Sequence, residues 1–146
     1  MSLANSHRQR WDPKDELSKE IKAFPKDFRM IAGDPLLRNY TDSLSQRTIS
    51  FACIGHGEAA VPGFPDHKCG GNLEIRVDFP MCWDGKNADT ADHRSHVAYP
   101  SGLDNGICPE THPRRFMHLF METSWDVQNF DDQWYGDKQP FVLSNG

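Results

Sequence analysis

The densest chemistry in the chain lies between Cys82 and Pro100, where Asp84, Asp89, Asp92, His93 and His96 crowd into one short stretch. Carboxylates and imidazoles this close together are the materials of a divalent-metal centre or of general acid–base catalysis. His93 and His96 stand at i, i+3, which suits two metal ligands if the segment turns helically; in a strand they face apart. A transition metal would draw its remaining ligands from His56, His67 or His112. Asp84 and Asp92 are the carboxylates suited to the role of ligand or base. Asp84, Asn87 and Asp89 offer oxygen donors at loop spacing to a calcium ion, although the glutamate that closes the usual calcium loop is missing. Trp83, Lys86, Asn87 and Tyr99 are candidate ligand contacts in the same stretch. The competing account is structural: Asp84 and Asn87 bond to their own turn backbone, and the histidines orient loops.

Other constellations are sparser. The segment from Gly55 to Cys69 carries His56 and His67 among glycines and prolines, a composition that also describes an ordinary surface loop. Glu122, Asp126 and Asp84 are the acids nearest to aromatic residues, and glycoside hydrolysis needs two carboxyls held about 5–10 Å apart. Trp83, Trp125, Trp134 and Tyr135 are candidates for a sugar-stacking platform, against the commoner use of Trp in a core. His7 and His118 are weaker candidates. No Gly-x-Ser-x-Gly elbow, phosphate-binding loop or dinucleotide fingerprint occurs in the sequence.

The elements that must position these residues read as mainly β. Leu73, Ile75, Val77 and Phe79 alternate with Glu74, Arg76 and Asp78, which predicts a strand with one buried and one wet face. Ile49, Phe51 and Cys53 repeat the pattern, and Phe28–Ala32, Ser95–Tyr99, Arg115–Thr123 and Phe141–Ser144 are further strand candidates. Arg115–Thr123 is apolar on both faces and is read as one strand. Glycines and prolines punctuate long connections between these runs, so the architecture is an antiparallel sheet or sandwich with long irregular loops. Ahead of it, Asp12 suits an N-cap and Pro13 a first helical position, predicting a short N-terminal helix through Ile21. Residues 1–22 thus form a polar arm and helix, and 23–146 one domain.

Composition narrows the function classes. The chain has 146 residues, 16 Lys plus Arg and 21 Asp plus Glu, for a net charge of −5. That balance argues against a general nucleic-acid binder, which needs a basic face. No apolar run approaches the length of a membrane span, and the first residues contain no apolar signal core. Mean hydropathy is −0.70, a lean supply for a core, and such a domain needs a staple. Cys53, Cys69, Cys82 and Cys108 are even in number and contain no Cys-x-x-Cys pair, which favours disulfides over a zinc ribbon. Three pairings are possible; the sequential one, Cys53 with Cys69 and Cys82 with Cys108, would close two short loops. Disulfides place the protein in an oxidising compartment. Asn39-Tyr40-Thr41 is a glycosylation triplet compatible with secretion.

Four runs carry a family resemblance: Phe24-Pro25-Lys26-Asp27-Phe28-Arg29-Met30-Ile31-Ala32-Gly33-Asp34-Pro35, Cys82-Trp83-Asp84-Gly85-Lys86-Asn87, Asp92-His93-Arg94-Ser95-His96-Val97-Ala98-Tyr99-Pro100 and Phe141-Val142-Leu143-Ser144-Asn145-Gly146. In this order they resemble the DUF1996 family, a domain of unknown function common in secreted fungal proteins and sometimes joined to carbohydrate-binding WSC modules. The resemblance covers about Phe24 to Gly146. Family members usually carry a His-x-His type motif ahead of the first run and a Gly/Tyr/His-rich segment after the last, so the resemblance implies a partial domain here. It also implies a secreted, disulfide-bonded protein that binds extracellular glycan, glycoprotein or cell-surface material, with lectin-like or immunomodulatory readouts. The alternatives are a metal-assisted hydrolase or lyase acting on polysaccharide, with His93 and His96 as ligands of a divalent metal, and a structural or assembly protein.

Overall fold

The alternating run around Ile75 does form the central strand of the protein. In the computed structural model, which describes residues 21–55, 57 and 59–143, β1 is Ile21–Lys22 and a single helical turn, α1, is Leu44–Arg47. It is followed by β2 at Ile49–Cys53, β3 at Asn72–Asp78, β4 at Cys82–Trp83, β5 at Val97–Ala98, β6 at Arg114–Phe116 and β7 at Phe120–Asp126. A 3-10 helix, Gln128–Gln133, follows β7. The fold is mainly β, with two sheets: β2-β3-β7, antiparallel throughout, and β1-β6-β4-β5, in which β1 and β6 run parallel.

The two sheets are halves of one bent ribbon. β3 pairs with β7 up to Asp78 opposite Phe120, and the same two chain segments pair again as β4 and β6, with Cys82 opposite Arg115. Between those pairs the β6–β7 side carries one residue more than its partner. That extra residue is a bulge within Met117–Leu119, and it bends the ribbon. The segment read as one strand, Arg115–Thr123, is therefore two strands in two sheets. Its apolar residues on both faces reflect a change of register rather than a strand buried on both sides.

Each half has its own core. Phe51, Cys53, Cys69, Leu73 and Val127 pack beneath the first sheet, with Ile49, Phe64, Ile75 and Phe141 against them. Met81, Cys82 and Cys108 pack with Ala98 in the second. One disulfide lies in each: Cys53–Cys69, with Cα atoms 5.0 Å apart, and Cys82–Cys108, 5.6 Å apart. These are the sequential pairs, each closing a loop that contains little regular structure. Beside the second core, Phe24, Phe28, Trp83 and Phe116 form a ring cluster with centroid separations of 4.6 to 6.5 Å.

Several expectations change. Phe28–Ala32 is not a strand: its amides bond to a loop, Arg29 N–H to the Ala88 carbonyl and Ile31 N–H to that of His93, each at 3.0 Å. Ser95–Tyr99 shrinks to Val97–Ala98, and residues 141–143 carry no strand. The helix expected from Asp12 lies outside the described residues up to its last position, Ile21, which belongs to β1. The expected wet face of β3 is half-buried, for a reason given below.

Candidate functional site

The polar stretch from Asp84 to His96 spends its side chains on its own backbone. Asp84 Oδ1 accepts the Lys86 and Asn87 backbone N–H groups at 2.8 and 3.0 Å, and Oδ2 accepts the Asn87 side-chain amide at 2.6 Å. Gly85, at φ +79°, supplies the left-handed residue this turn needs, with Arg114 Cγ only 3.1 Å from where a Cβ would stand. Burial pushes the Asp84 carboxyl up, but the Asn87 and Lys86 N–H groups outweigh it and hold it below its ordinary range. Trp83 Nε1–H donates to the Asn87 carbonyl at 2.6 Å and its ring stacks on Phe116, so this half-buried indole is engaged in packing. The Lys86 side chain is exposed.

The second half repeats the pattern. Asp92 Oδ1 accepts the Arg94 and Ser95 N–H groups, the Ser95 hydroxyl and the Thr90 hydroxyl at 2.8 to 3.1 Å. These donors, the Ser95 and Arg94 amides first, hold its carboxyl far below the ordinary range. His93 Nδ1–H donates to Asp89 Oδ1 at 2.5 Å, which depresses the Asp89 carboxyl in turn. That pair steadies His93 in the left-handed region, φ 52°, where its carbonyl reaches Ile31. Thr90 gives its only proton to Asp92, so at 2.9 Å it accepts one from His96 Nδ1. His96 is fully buried, and its Nε2 has no hydrogen-bond partner among the described residues. Tyr99 donates to the Asp78 carbonyl at 3.1 Å, and burial raises its phenol.

His93 is part-exposed and His96 is enclosed. Among the described residues, no group of three or more His, Cys, Asp or Glu side chains is placed to hold a metal ion. His112 Nε2 instead meets the Ser95 carbonyl at 3.1 Å, His67 Nδ1 meets Asp66 at 3.1 Å, and His56 lies outside the described residues. What the stretch builds is a rigid, self-capped loop. Lowered carboxyl pKa values make that loop acid-sensitive: the stabilisation from Asp84, Asp89 and Asp92 is complete above the unfolded carboxylate range near ~4 and is lost as pH falls below it. Urea midpoints measured from pH 6 down to 3 should therefore fall, and Asp92→Asn, which keeps an acceptor but loses the titration, should flatten part of that fall.

A second polar cluster escaped the sequence pattern. Arg76 Nε bridges Glu74 at 2.8 Å and Glu122, its cross-strand partner, at 3.1 Å. The glutamate side chains are only 14% and 26% exposed. Burial, then the hydrogen bond and repulsion from Glu74, raise the Glu122 carboxyl despite Arg76. His118, in the bulge, likewise turns in to Asp78 at 2.9 Å. The polar face of β3 is thus an ion-pair network, and alternation alone could not distinguish that from a solvated face.

A further set of polar and aromatic groups lies over the first core. Phe64, Trp134 and Phe141 line a narrow cleft there, with room for about one water molecule, and His67, Asp131 and Gln139 stand beside them. Gln139 is tied to Phe141 through both amide atoms. Asp131 and Trp134, one turn of 3-10 helix apart, share a side of that helix end. Neither the Asp131 carboxylate nor Trp134 Nε1 has a hydrogen-bond partner among the described residues. Tyr135, next in the chain, is 83% exposed, and Trp125, opposite the groove residue Leu73 in the β3–β7 ladder, is 57% exposed.

The chain matches the domain of unknown function DUF1996 over residues 5–146. It belongs to the DUF1996 family. The match begins at residue 5, so residues 5–23 share the family pattern along with the four runs from Phe24 onward. No curated protein and no solved structure matches the chain. Among the described residues of this DUF1996 domain, no helix is long and apolar enough to cross a membrane. Its two disulfides are consistent with an extracellular protein.

Proposed function

We propose that this DUF1996 domain is an extracellular carbohydrate-binding protein, and that saccharide packs on the surface over the Phe64–Trp134–Phe141 cleft rather than inside it or on the Cys82–Pro100 loop. The observation that carries the reading is the contrast in commitment. Asp84, Asp89 and Asp92 accept several local donors, whereas Asp131 and Trp134 present an acceptor and a donor with no hydrogen-bond partner among the described residues, beside aromatic faces. A pyranose has the complementary surface, an axial C–H face that packs on an aromatic ring and hydroxyls that meet a carboxylate and an indole N–H. Exposed Trp125 and Tyr135 extend the apolar surface beyond the groove. The loop then serves as a scaffold, and Lys86 and Asn87 are not ligand contacts in this reading.

Calorimetric titration of the intact protein with soluble β-glucan, mannan and chitin oligosaccharides tests it. Binding to at least one is expected, weakened about tenfold, or 1.4 kcal/mol, by Asp131→Asn or Tyr135→Ala, with Lys86→Ala and His93→Ala unchanged. Binding to none of the three classes, or equal weakening by the loop variants, would sink the assignment.

A further inference from the structure

Asn39-Tyr40-Thr41 is the one Asn-x-Ser/Thr triplet in the chain, and the binding reading leaves it without a role. All three residues are exposed, and neither core cluster includes a residue from this segment. The Asn39 side-chain amide makes no hydrogen bond to the described residues; only its backbone carbonyl is engaged, by Gln46 Nε2 at 3.0 Å. The same glutamine accepts both the Thr41 N–H, at 2.5 Å, and its hydroxyl, at 2.7 Å. One side chain of α1 thus pins the loop, and the Asn39 amide stays exposed and without a hydrogen bond to the described residues. A bulky group on Asn39 Nδ2 would displace no packed side chain and break none of these bonds.

We propose that Asn39 is an N-glycosylation site that carries an N-linked oligosaccharide. In the reaction, Asn39 Nδ2 attacks C1 of the reducing-end sugar of a lipid-diphosphate-linked oligosaccharide. The C1–N bond forms, the C1–O bond to the diphosphate breaks, the lipid diphosphate departs and the amide gives up one proton, with no change of oxidation state. The order of residues suits this chemistry. The triplet precedes Cys53, so it enters an oxidising lumen before either disulfide can close. Its restraints are local: Gln46 lies only five residues beyond Thr41, within α1, and the Tyr40 hydroxyl donates to Asp42 at 2.7 Å. Leu36, Leu37 and Tyr40, exposed beside it, are within the surface a hydrated glycan on Asn39 would shield.

The inference rests on the extracellular half of the reading above and is independent of what the groove binds. The test is translation of the full chain, behind a cleavable secretion leader, into microsomes from the endoplasmic reticulum. Leader cleavage and protease protection report translocation separately from modification. Expected is a translocated chain heavier by one glycan, returned to its unmodified size by peptide N-glycosidase with aspartate left at position 39. Asn39→Gln and Thr41→Ala should abolish the added mass, and Thr41→Ser should retain it. A translocated, disulfide-bonded chain of unmodified mass would overturn the assignment, as would added mass that survives Asn39→Gln. Calorimetry on the glycosidase-treated protein reads the groove independently, so loss of one conclusion leaves the other standing.

Discussion

Replacing Cys82 and Cys108 together by alanine is expected to lower the unfolding free energy by about 3.5 kcal/mol, enough to remove a large part of the roughly 5–15 kcal/mol available to a domain. The bond closes a loop of 26 residues, against 16 for Cys53–Cys69, and the cost of leaving a loop open in the unfolded chain grows with its length. The difference between the two loops alone is only a few tenths of a kcal/mol. Location widens it. Cys82 is wholly buried with Met81 beneath β4, and the loop it closes contains β5 and the entire self-capped stretch through His96. Urea denaturation should place the Cys82→Ala/Cys108→Ala midpoint below that of Cys53→Ala/Cys69→Ala, with both below the parent. A loss under 1 kcal/mol would show that the second core stands without its staple.

The pairing itself shows where reading the sequence stops. Four cysteines permit three connectivities, and only Cα separations of 5.0 and 5.6 Å select one. β3 was legible because a half-buried strand writes its period of two directly into the sequence, Leu73 to Phe79 alternating with Glu74, Arg76 and Asp78. The bulge at Met117–Leu119 was not, since a register shift that moves apolar residues from one face to the other looks identical to a strand buried on both faces. Phe28–Ala32 has the alternation of a strand but bonds to a loop, and periodicity carries no information about the partner. The same ambiguity governs the site. Asp84, Asp92, His93 and His96 have a spacing that serves a metal as well as a self-capped turn, and only the distances to Lys86, Asn87, Arg94 and Ser95 separate the two. The aromatic groove was legible only as a list of tryptophans, because its walls come from Phe64, Trp134 and Phe141, far apart in the chain.

The largest single-residue effect is expected at Phe116. Its side chain is completely buried at the end of β6, where Cys82 and Trp83 pair with Arg115 and Arg114 on one side and β1 joins from the other. Three aromatic contacts meet there: Phe24 at 4.6 Å, Phe28 at 4.9 Å and edge-on, and Trp83 at 5.2 Å and nearly parallel; Phe28 in turn reaches His96 at 5.1 Å. The ring therefore joins the Phe24–Phe28 segment, the Trp83 turn and the buried histidine. Without it, Phe28 loses the face it packs on, and the Arg29 and Ile31 hydrogen bonds to the loop lose their anchor. Phe116→Ala should cost about 3–5 kcal/mol through lost burial and an unfilled cavity, a fall in Tm of roughly 10 °C or more. Phe116→Leu, which keeps most of the volume, should cost under half as much. Leu36→Ala, at a site 79% exposed, serves as the control and should leave Tm within about 1 °C. If Phe116→Ala melts with the control, the four rings are neighbours without energetic consequence, and the loop is held by its polar bonds and by the Cys82–Cys108 disulfide alone.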